Sequence, residues 1–391
     1  MRTDMAKRAT KGMRFKIKVQ TLLGQLALMS GIEDRRTSIP VLHNLSIVSQ
    51  APNTIKLTAT DLDVTLTCQA EADITEPGSI LVPLKKLLDI TRTLPKIADI
   101  TFQALEQGGA QVTCERASFK LVAPEFESFP ELPKSCEGAI QIPASTVASM
   151  ITSTIFAITD EASRYTLSGA KVEIDQQSLR MVTTDGHRLA KSEDKTTTAQ
   201  NPIEVLIPEK ALAALGRLCA AHDGPVTFAA DENHAHFNVG SSVLTARLLY
   251  GQFPDYKMVF PKDNTRSFTA DVALFRDTLR RVSLMADERS HSVRLDVKNN
   301  GTLTIIATNS EGGQAVEDLP INLQGDTTTP SDPGDVALSI GFNGTFVLEA
   351  LASINADQAT MTFKDANSQV MIIPTIPSTI EIANVVMPMR I

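Results

Sequence analysis

The stretch TDGHRLA, residues 184–190, decides how the whole chain is interpreted, because its opening Thr-Asp pair belongs to a repeat. A Thr-Asp pair also begins at Thr60 and a Thr-Asn pair begins at Thr308, so 124 residues separate Thr184 from its counterpart on either side. Each pair ends a run in which apolar and polar residues alternate, which is the pattern of a β-strand. A fixed period predicts a repeated structural corner that is specialised in the middle copy, rather than a single catalytic loop.

The Phe-Pro pairs that begin at Phe129 and Phe253 give this period a second anchor, since they also lie 124 residues apart. Within each unit, strand-like alternations such as residues 167–174 flank two helix-like segments. The predicted helices cover residues 22–29, 84–94, 147–157, 209–219, 272–285 and 346–354. This order predicts an α+β fold of three similar domains, each with helices on one face of antiparallel sheets.

The predicted domain organisation follows from the period. We expect a flexible N-terminal extension at residues 1–12 and domains at residues 13–136, 137–261 and 262–391, with linkers near residues 136–138 and 260–264. Two such chains in head-to-tail contact close a ring if the rotation between them permits it.

Composition and charge limit the classes of function. The chain has 391 residues, 42% hydrophobic and 21% charged, which is ordinary for a globular protein. We find no secretory signal and no apolar run near the roughly 18 residues that span a bilayer, and we expect a cytoplasmic protein. The four cysteines show no C-x-x-C spacing, so we expect reduced core residues in a cytosolic protein rather than metal ligands or disulfides. The net charge of -8 argues against nucleic-acid binding by bulk attraction, although a local basic surface stays open.

Basic residues gather on three of the predicted helices. One interpretation is that these are solvated helix faces. The other is that the helices face phosphates while the acidic residues lie elsewhere, and the contrast with an acidic chain favours it. The residues concerned are Lys85, Lys86, Arg92, Lys96, Lys210, Arg217, Arg276, Arg280 and Arg281.

Two alternatives apply to the repeated corners. Asp185 and His187 could form a general-base pair with Ser168 as nucleophile, which would make the protein a hydrolase. The chain contains no G-x-S-x-G, H-E-x-x-H, phosphate-loop or dinucleotide motif, which weakens this hypothesis. Asp61 and Asp63 could ligate a metal, but two carboxylates at a strand end are more often solvated. A third possibility is a repeat scaffold that binds protein but never DNA.

The C-terminal tail, VVMPMR at residues 385–390, also has two interpretations. From the residues alone it is best explained as a last core strand. Alternatively it forms part of an apolar surface, for which methionine is suited because its flexible, polarisable chain adapts to different peptides.

Several motifs together resemble one family, the beta subunits of bacterial DNA polymerase III, which are the beta sliding clamps. The resemblance runs from about residue 13 to the C-terminus. The matching stretches are IPVL at 39–42, ATDL at 59–62, Arg164-Tyr165 with Leu167 and Gly169, TDGHRLA at 184–190, FPDY at 253–256, GFN at 341–343 and VVMPMR at 385–390.

The resemblance implies a function and a set of partners. It implies a homodimeric ring of six domains that encircles duplex DNA, slides on it and tethers the replicative polymerase as a non-catalytic processivity factor without a cofactor. The implied partners are double-stranded DNA, a second copy of the chain, the polymerase III alpha subunit, the clamp loader, and other polymerases and repair proteins that carry clamp-binding peptides.

The resemblance also implies three sets of site residues. The peptide pocket would comprise Leu167, Thr184, Gly186, His187, Arg188, Leu189, Pro254, Met258, Val259, Asn343, Phe346, Val385, Val386, Met387, Pro388, Met389 and Arg390. The DNA contacts would comprise Arg36, Lys85, Lys86, Arg92, Tyr165, Lys210, Arg217, Arg276 and Arg280. The dimer interface would comprise Phe119 and Leu121 on an edge strand and Leu284 and Met285 at a helix end.

Some positions depart from the family pattern. Asp160 and Glu161 are acidic in a loop expected near DNA, and Thr166 replaces an aromatic residue beside Tyr165. Met258 stands where the family often has arginine and Phe346 where it has tyrosine, so a different peptide preference is expected.

Overall fold

A computed structural model describes residues 12–33, 38–50, 52–133, 140–325 and 336–390. Residues 1–11 of the predicted extension, the DNA-contact candidate Arg36 and the predicted linker at 136–138 lie outside the described residues.

The first repeat contains nine strands and two helices in its described part. They are β1 (Arg14–Lys18), α1 (Val19–Met29), β2 (Asn44–Gln50), β3 (Thr54–Thr60), β4 (Val64–Glu71), β5 (Asp73–Glu76), β6 (Ser79–Pro83), α2 (Leu84–Thr93), β7 (Asp99–Ala104), β8 (Ala110–Cys114) and β9 (Ala117–Leu121). Short 3₁₀ turns cover Pro40–His43 and Phe126–Ser128.

The middle and third repeats follow the same order of elements. The middle repeat has β10 (Ile140–Pro143), α3 (Ala144–Thr152), β11 (Gly169–Ile174), β12 (Leu179–Thr184), β13 (Arg188–Asp194), β14 (Ile203–Pro208), α4 (Glu209–Ala220), β15 (Pro225–Ala230), β16 (His234–Val239) and β17 (Ser242–Arg247), with 3₁₀ turns at Ile155–Ala157, Ala162–Leu167 and Tyr256–Met258. The third has β18 (Arg266–Asp271), α5 (Val272–Ser283), β19 (Ser292–Lys298), β20 (Thr302–Thr308), β21 (Gln314–Pro320), β22 (Asn322–Gln324), β23 (Val336–Asn343), α6 (Gly344–Ala352), β24 (Gln358–Phe363), β25 (Val370–Pro374) and β26 (Ile380–Val386).

The structure corrects three predicted element bounds. The helix predicted over residues 147–157 is the shorter α3, because the hydroxyl groups of Ser153 and Thr154 both donate to the carbonyl of Met150 and end the helix there. The helix predicted to reach residue 285 ends at Ser283, so Leu284 and Met285 follow it. The strand predicted from residue 167 begins only at residue 169, because Leu167 closes a 3₁₀ turn.

The strands form four antiparallel sheets, which lie in two compact units. Unit one holds the described residues within Met1–Ala148 and Lys210–Leu248, and its sheets have the orders β5-β1-β7-β8-β9 and β10-β15-β16-β17-β4-β3-β2-β6. Unit two holds those within Ser149–Glu209 and Leu249–Ile391, with the orders β14-β11-β12-β13-β26-β25-β24-β18-β22 and β21-β20-β19-β23.

Each unit contains one strand junction between neighbouring repeats. In unit one, β17 of the middle repeat pairs with β4 of the first, and Thr245 lies opposite Thr65. In unit two, β26 of the third repeat pairs with β13 of the middle one, and Val385 lies opposite Leu189. Thr65 and Leu189 are 124 residues apart, so the two junctions have the same register.

The helices bury one face, as the sequence predicts for amphipathic segments. In α5, Val272, Phe275, Leu279 and Val282 are buried at the spacing of one helical stripe, whereas Arg280 is exposed. Helix α1 packs against α2, and α5 packs against α6. Among the described residues, no helix is long and apolar enough to cross a membrane.

Candidate functional site

The three repeated corners are built by the same hydrogen bonds. Strands β3, β12 and β20 end at Thr60, Thr184 and Thr308. In the first two corners the threonine hydroxyl accepts the N–H two residues further on, from Leu62 to Thr60 and from Gly186 to Thr184, both at 3.1 Å. The Thr-Asp pair therefore has a local role in turning the chain between two strands.

The second residue of each pair accepts backbone N–H groups, which is the Asx-turn arrangement. Asp185 Oδ1 accepts from His187 at 2.9 Å and from Arg188 at 3.0 Å. Asp61 and Asn309 accept in the same way from the residues that follow them. The backbone explains why an Asp or Asn is required at this position in all three repeats.

The hydrolase hypothesis for the middle corner is wrong. The carboxylate of Asp185 is occupied by backbone N–H groups and by Arg188 Nε at 3.0 Å, and the ring of His187 stacks on Phe346 with centroids 6.4 Å apart. The hydroxyl of Ser168 donates to the carbonyl of Tyr165 at 2.7 Å. The contacts of the described residues thus contain no relay from Asp185 through His187 to Ser168.

The metal hypothesis for the first corner does not find support either. Asp61 is joined to Lys210 by an ion pair. Within the described ranges, no three or more His, Cys, Asp or Glu side chains are grouped as metal ligands would be.

Arg188 fixes the middle corner from within. Its guanidinium pairs with Asp185, also forms an ion pair with Glu349 of α6, and donates from Nη2 to the carbonyl of Phe156 at 2.6 Å. It lies 4.4 Å above the ring centroid of Phe346, within cation–π range. The side chain is only 10% exposed, so Arg188 forms part of the wall of the corner.

A cavity of about 110 Å³ lies beside this corner. Its lining is apolar except for Thr184, the polar ends of Arg188 and Tyr256, and backbone. The lining residues are Leu167, Thr184, Gly186, Arg188, Leu189, Pro254, Tyr256, Val259, Val385 and Met387.

The C-terminal tail satisfies both interpretations that the sequence left open. Residues up to Val386 belong to β26, with Val385 packed in the cluster beside the cavity and Val386 in the core of the third repeat. Beyond the strand, the N–H of Met387 donates to the carbonyl of His187 at 2.9 Å, and Met387 lines the cavity. The N–H of Met389 donates to the carbonyl of Gly341 at 2.8 Å.

The structure brings nine of the predicted pocket residues to the cavity and leaves the others outside its lining. The nine are Leu167, Thr184, Gly186, Arg188, Leu189, Pro254, Val259, Val385 and Met387. The residues outside are His187, Met258, Asn343, Phe346, Val386, Pro388, Met389 and Arg390. Met258 is 77% exposed, and Asn343 caps α6 by accepting the N–H of Thr345 at 2.9 Å. Sequence reasoning missed Tyr256, although the FPDY motif contains it.

The first corner differs from the middle one in the residues at its strand junction. At the first junction, Thr65 and Thr245 occupy the register positions of Leu189 and Val385. Thr65 is hydrogen-bonded to Thr60 at 2.7 Å, and Thr245 to the ring of His236 at 3.1 Å. These buried hydroxyl groups have hydrogen-bond partners within the chain, so the first junction is polar at the two positions where the second is apolar.

The predicted DNA contacts fall into two groups. Lys85, Lys86 and Arg92 on α2 and Arg280 on α5 are exposed, Arg276 is half-buried and Tyr165 is 53% exposed. Arg92 and Arg280 each have an exposed aspartate one turn away, at 3.7 and 3.6 Å. Such solvated pairs leave the cations accessible.

Lys210 and Arg217 on α4 form the second group, since both have partners inside unit one. Lys210 pairs with the buried carboxylate of Asp61, and Arg217 donates to the carbonyl of Ser30 at 2.8 Å. Burial lowers the pKa of Arg217. Both side chains are half-buried and have partners in their own chain, unlike the exposed cations of the first group, and their contact with DNA stays a prediction.

The four dimer candidates differ in accessibility. Strand β9 is an edge strand, as predicted, with Phe119 half-buried and Leu121 buried. Leu284 is 82% exposed, whereas Met285 is half-buried and its methyl group packs over Gly313, where a Cβ atom would approach to 2.5 Å.

Comparison with known proteins places the whole chain beside one family. Models of the DNA polymerase III beta subunit match with the N-terminal domain at residues 13–133, the central domain at 141–255 and the C-terminal domain at 257–390. The beta sliding clamps of Haemophilus influenzae and Escherichia coli are each 32% identical over 381 residues, covering 97% of this chain and 100% of the relative.

Solved structures give the same result. A sliding clamp from Pseudomonas aeruginosa, bound to griselimycin, has 32% identity and a TM-score of 0.86, covering 97% of this chain and 100% of that one. The clamp from Bartonella birtlesii, also bound to griselimycin, has 29% identity and a TM-score of 0.86 with the same coverage.

Proposed function

The chain belongs to the family of DNA polymerase III beta subunits, the beta sliding clamps, and we propose which of its surfaces carry out the work of a clamp. The family is a non-catalytic processivity factor of DNA replication, built from three clamp domains. We propose the domain bounds 13–136, 137–261 and 262–391 and a cytoplasmic location.

The cavity beside the middle corner is the proposed site for clamp-binding peptides. The observation that carries this proposal is the meeting of Leu189 and Met387, which lie far apart in sequence, on one apolar cavity. Two or three buried apolar anchors supply about 3–9 kcal/mol in total, so after the cost of ordering the peptide the affinity should be micromolar at its tightest. The exposed His187, Met258 and Arg390 are proposed rim contacts, where peptide preference is set.

Self-association is proposed at two strand edges that correspond to the internal junctions. Each junction pairs the last strand of one half-repeat with the last strand of another, β17 with β4 and β26 with β13. Strands β9 and β21 hold the same positions in their repeats, and both are sheet edges. An edge strand with unpaired backbone groups is a template for another chain. We propose that β9 of one copy pairs with β21 of a second.

The register of this contact can be derived from the hairpins. Gln314 pairs with the corner residue Thr308 as Leu189 pairs with Thr184, so Gln314 and Leu189 are equivalent positions. Phe119 and Leu244 are likewise equivalent, because each holds the same register position on the last strand of its half-repeat. The internal register then places Phe119 opposite Ala315 and Arg116 opposite Asp318, an attractive pair of charges. Two identical contacts of this kind close a head-to-tail ring.

Exposed cations on α2 and α5 are the proposed DNA-facing groups, together with Tyr165 and with Arg36. A clamp that slides cannot hold phosphates tightly, so we expect weak attraction without sequence preference. The protein should then stay on DNA because a closed ring encircles the duplex, and not because it binds the duplex tightly.

The decisive test compares loaded protein on circular and linear DNA. A ring persists on a closed circle and leaves after a single cut that linearises it. Equal retention on both forms would contradict the ring, and failure of loading together with intact peptide binding would favour a scaffold that never holds DNA.

A further inference from the structure

Tyr256 lines the cavity and also forms a hydrogen bond with a residue behind the cavity wall. The ring is 4% exposed and lines the cavity, and the phenol hydroxyl donates to Glu173 Oε2 at 2.7 Å. A buried tyrosine needs a partner for its hydroxyl, and here the partner is a carboxylate, which makes a stronger bond than a neutral acceptor. Pro254 and Val259, which flank Tyr256 in the chain, line the same cavity.

Glu173 is held by two cations on neighbouring strands. The carboxylate oxygens of Glu173 lie 3.0 Å from Lys171 Nζ and 3.2 Å from Arg180 Nε. The Glu173 side chain is 14% exposed. Burial acts to raise the pKa of Glu173, but the hydrogen bonds from Tyr256 and Lys171 and the nearby charges outweigh it, and the pKa is lowered. The carboxylate is therefore ionised at neutral pH, and the two cations hold it in place beside the tyrosine.

The same wall has further attachments through its aromatic residues. Phe260 meets Tyr256 edge to face with centroids 6.4 Å apart. Lys171 lies 5.9 Å from the ring centroid of Tyr256, and Lys191 lies 5.6 Å from that of Phe260. Residues 254–260, which we call the wall segment, are thus fastened to strands β11 to β13 mainly through Tyr256.

The first repeat lacks this hydrogen bond. Val48 pairs with Lys56 there, as Glu173 pairs with Arg180 in the middle repeat. The Phe-Pro motif at Phe129 is followed by leucine at the position of Tyr256, namely Leu132. The first repeat therefore has apolar residues at both positions, and the Tyr–Glu pair is a feature that the middle repeat has and the first does not.

We propose that Tyr256 is a positioning residue for peptide binding, and that its hydrogen bond to Glu173 holds the wall segment in the shape that receives a clamp-binding peptide. The inference rests on the peptide-binding function proposed for the cavity. A wall that is already ordered costs less to bind against than one that the peptide must order. Loss of the bond therefore weakens the complex chiefly by faster dissociation.

The experiment uses the full-length protein and a fluorescent clamp-binding peptide containing a glutamine followed by leucine and an aromatic residue. Tyr256→Phe should raise the peptide Kd roughly tenfold, as expected for loss of a hydrogen bond to a charged group. The matched control is Glu381→Gln, which removes an exposed ion pair with Lys195 on the same sheet and touches no part of the wall segment. It should leave Kd unchanged.

A conservative pair of variants separates positioning from general stability. Glu173→Gln retains an oxygen that can accept the hydrogen bond from the phenol hydroxyl, so it should keep most of the peptide affinity. Glu173→Leu has no acceptor, so its peptide Kd should rise as it does in Tyr256→Phe. The chain has three tyrosines and no tryptophan, and Tyr165 and Tyr250 are about half exposed. The near-ultraviolet absorbance of Tyr256 should be shifted in wavelength from that of the two exposed tyrosines, because its hydroxyl is hydrogen-bonded to Glu173. This wavelength shift should be lost in Glu173→Leu and kept in Glu173→Gln.

The outcomes distinguish this inference from the proposed function. Normal peptide affinity in Tyr256→Phe and Glu173→Leu, with only a lower melting temperature, would show that the bond is merely structural. Absence of peptide binding by the unmodified protein would overturn the peptide-binding proposal itself, and this inference with it.

Discussion

Leu189 lies directly opposite Val385 where β13 pairs with β26, and both side chains border the cavity. The equivalent pair at the junction of the first and middle repeats is Thr65 and Thr245, whose hydroxyl groups are hydrogen-bonded within the chain. The character of this cross-strand pair thus distinguishes the middle corner, beside the proposed peptide site, from the first corner.

Val385→Thr tests this relationship, because threonine has the shape of valine and adds a hydroxyl group. The hydroxyl would be buried in an apolar cluster, which costs about 1–3 kcal/mol when it has no partner. We expect peptide affinity to fall about tenfold by fluorescence anisotropy. Val386→Thr is the matched control, since Val386 faces the core of the third repeat. It should lower the melting temperature while Kd stays constant, and equal effects of both variants on Kd would refute the assignment.

The exposed residue after α5 offers the clearest test of self-association. Leu284→Glu should shift the protein to monomer in light scattering, because the charge would be buried at the proposed contact at a cost of several kcal/mol. The melting temperature of the monomer should change little, since Leu284 is exposed in the chain. Met285→Glu is a poorer probe because Met285 packs over Gly313. Ile376→Glu, at another exposed residue, is the control that should remain dimeric.

The proposed register predicts a charge-swap result. Arg116→Asp should weaken the dimer by about 0.2–1 kcal/mol at each contact, the usual range for exposed pairs. Combining it with Asp318→Arg should restore the dissociation constant measured by analytical ultracentrifugation. Additive weakening in the double variant would mean that Arg116 and Asp318 do not face each other.

The sequence predicted the features that depend on local chemistry. The Thr-Asp corners at Thr60 and Thr184 were found because a strand, a turn and a hydrogen-bonding side chain must follow one another in the chain. Strand β9 is also a sheet edge as expected, but that expectation came from the family resemblance and not from local chemistry. Helix ends were less accurate, since hydroxyl groups such as that of Thr154 compete for helix carbonyls.

Contacts between distant segments could not be derived from periodicity. The pairing of Lys210 with Asp61 and that of Tyr256 with Glu173 depend on which strands become neighbours, and a strand pattern does not encode its partner. The division into two units has the same origin, because β17 and β13 each join a strand of another repeat.

Lys210 forms an ion pair with Asp61, whereas Lys85 and Lys86 are exposed, so their substitution should have different effects on DNA binding and stability. Replacing both exposed lysines of α2 by alanine should weaken DNA attraction and flatten its dependence on salt, because counterion release scales with the phosphates contacted. Lys210→Ala should leave that dependence unchanged but lower the stability by about 1–3 kcal/mol, since the carboxylate of Asp61 loses its cation. The measurements are loading efficiency across a salt series and thermal unfolding. A flatter salt dependence in Lys210→Ala would return that residue to the DNA surface.

Removal of residues 387–391 tests the part of the tail that lies beyond β26. The strand ends at Val386, so the sheet should remain intact, while the hydrogen bonds of Met387 and Met389 to the chain are lost at about 0.5–1.5 kcal/mol each. We expect a folded dimer that still encircles DNA but no longer binds polymerase peptides, because one side of the cavity is missing. Met387→Ala should reproduce most of the loss, and Arg390→Ala little of it, since an exposed charge is solvated and screened. The test is peptide titration beside a melting curve, and unchanged affinity in a well-folded truncation would place the peptide site elsewhere.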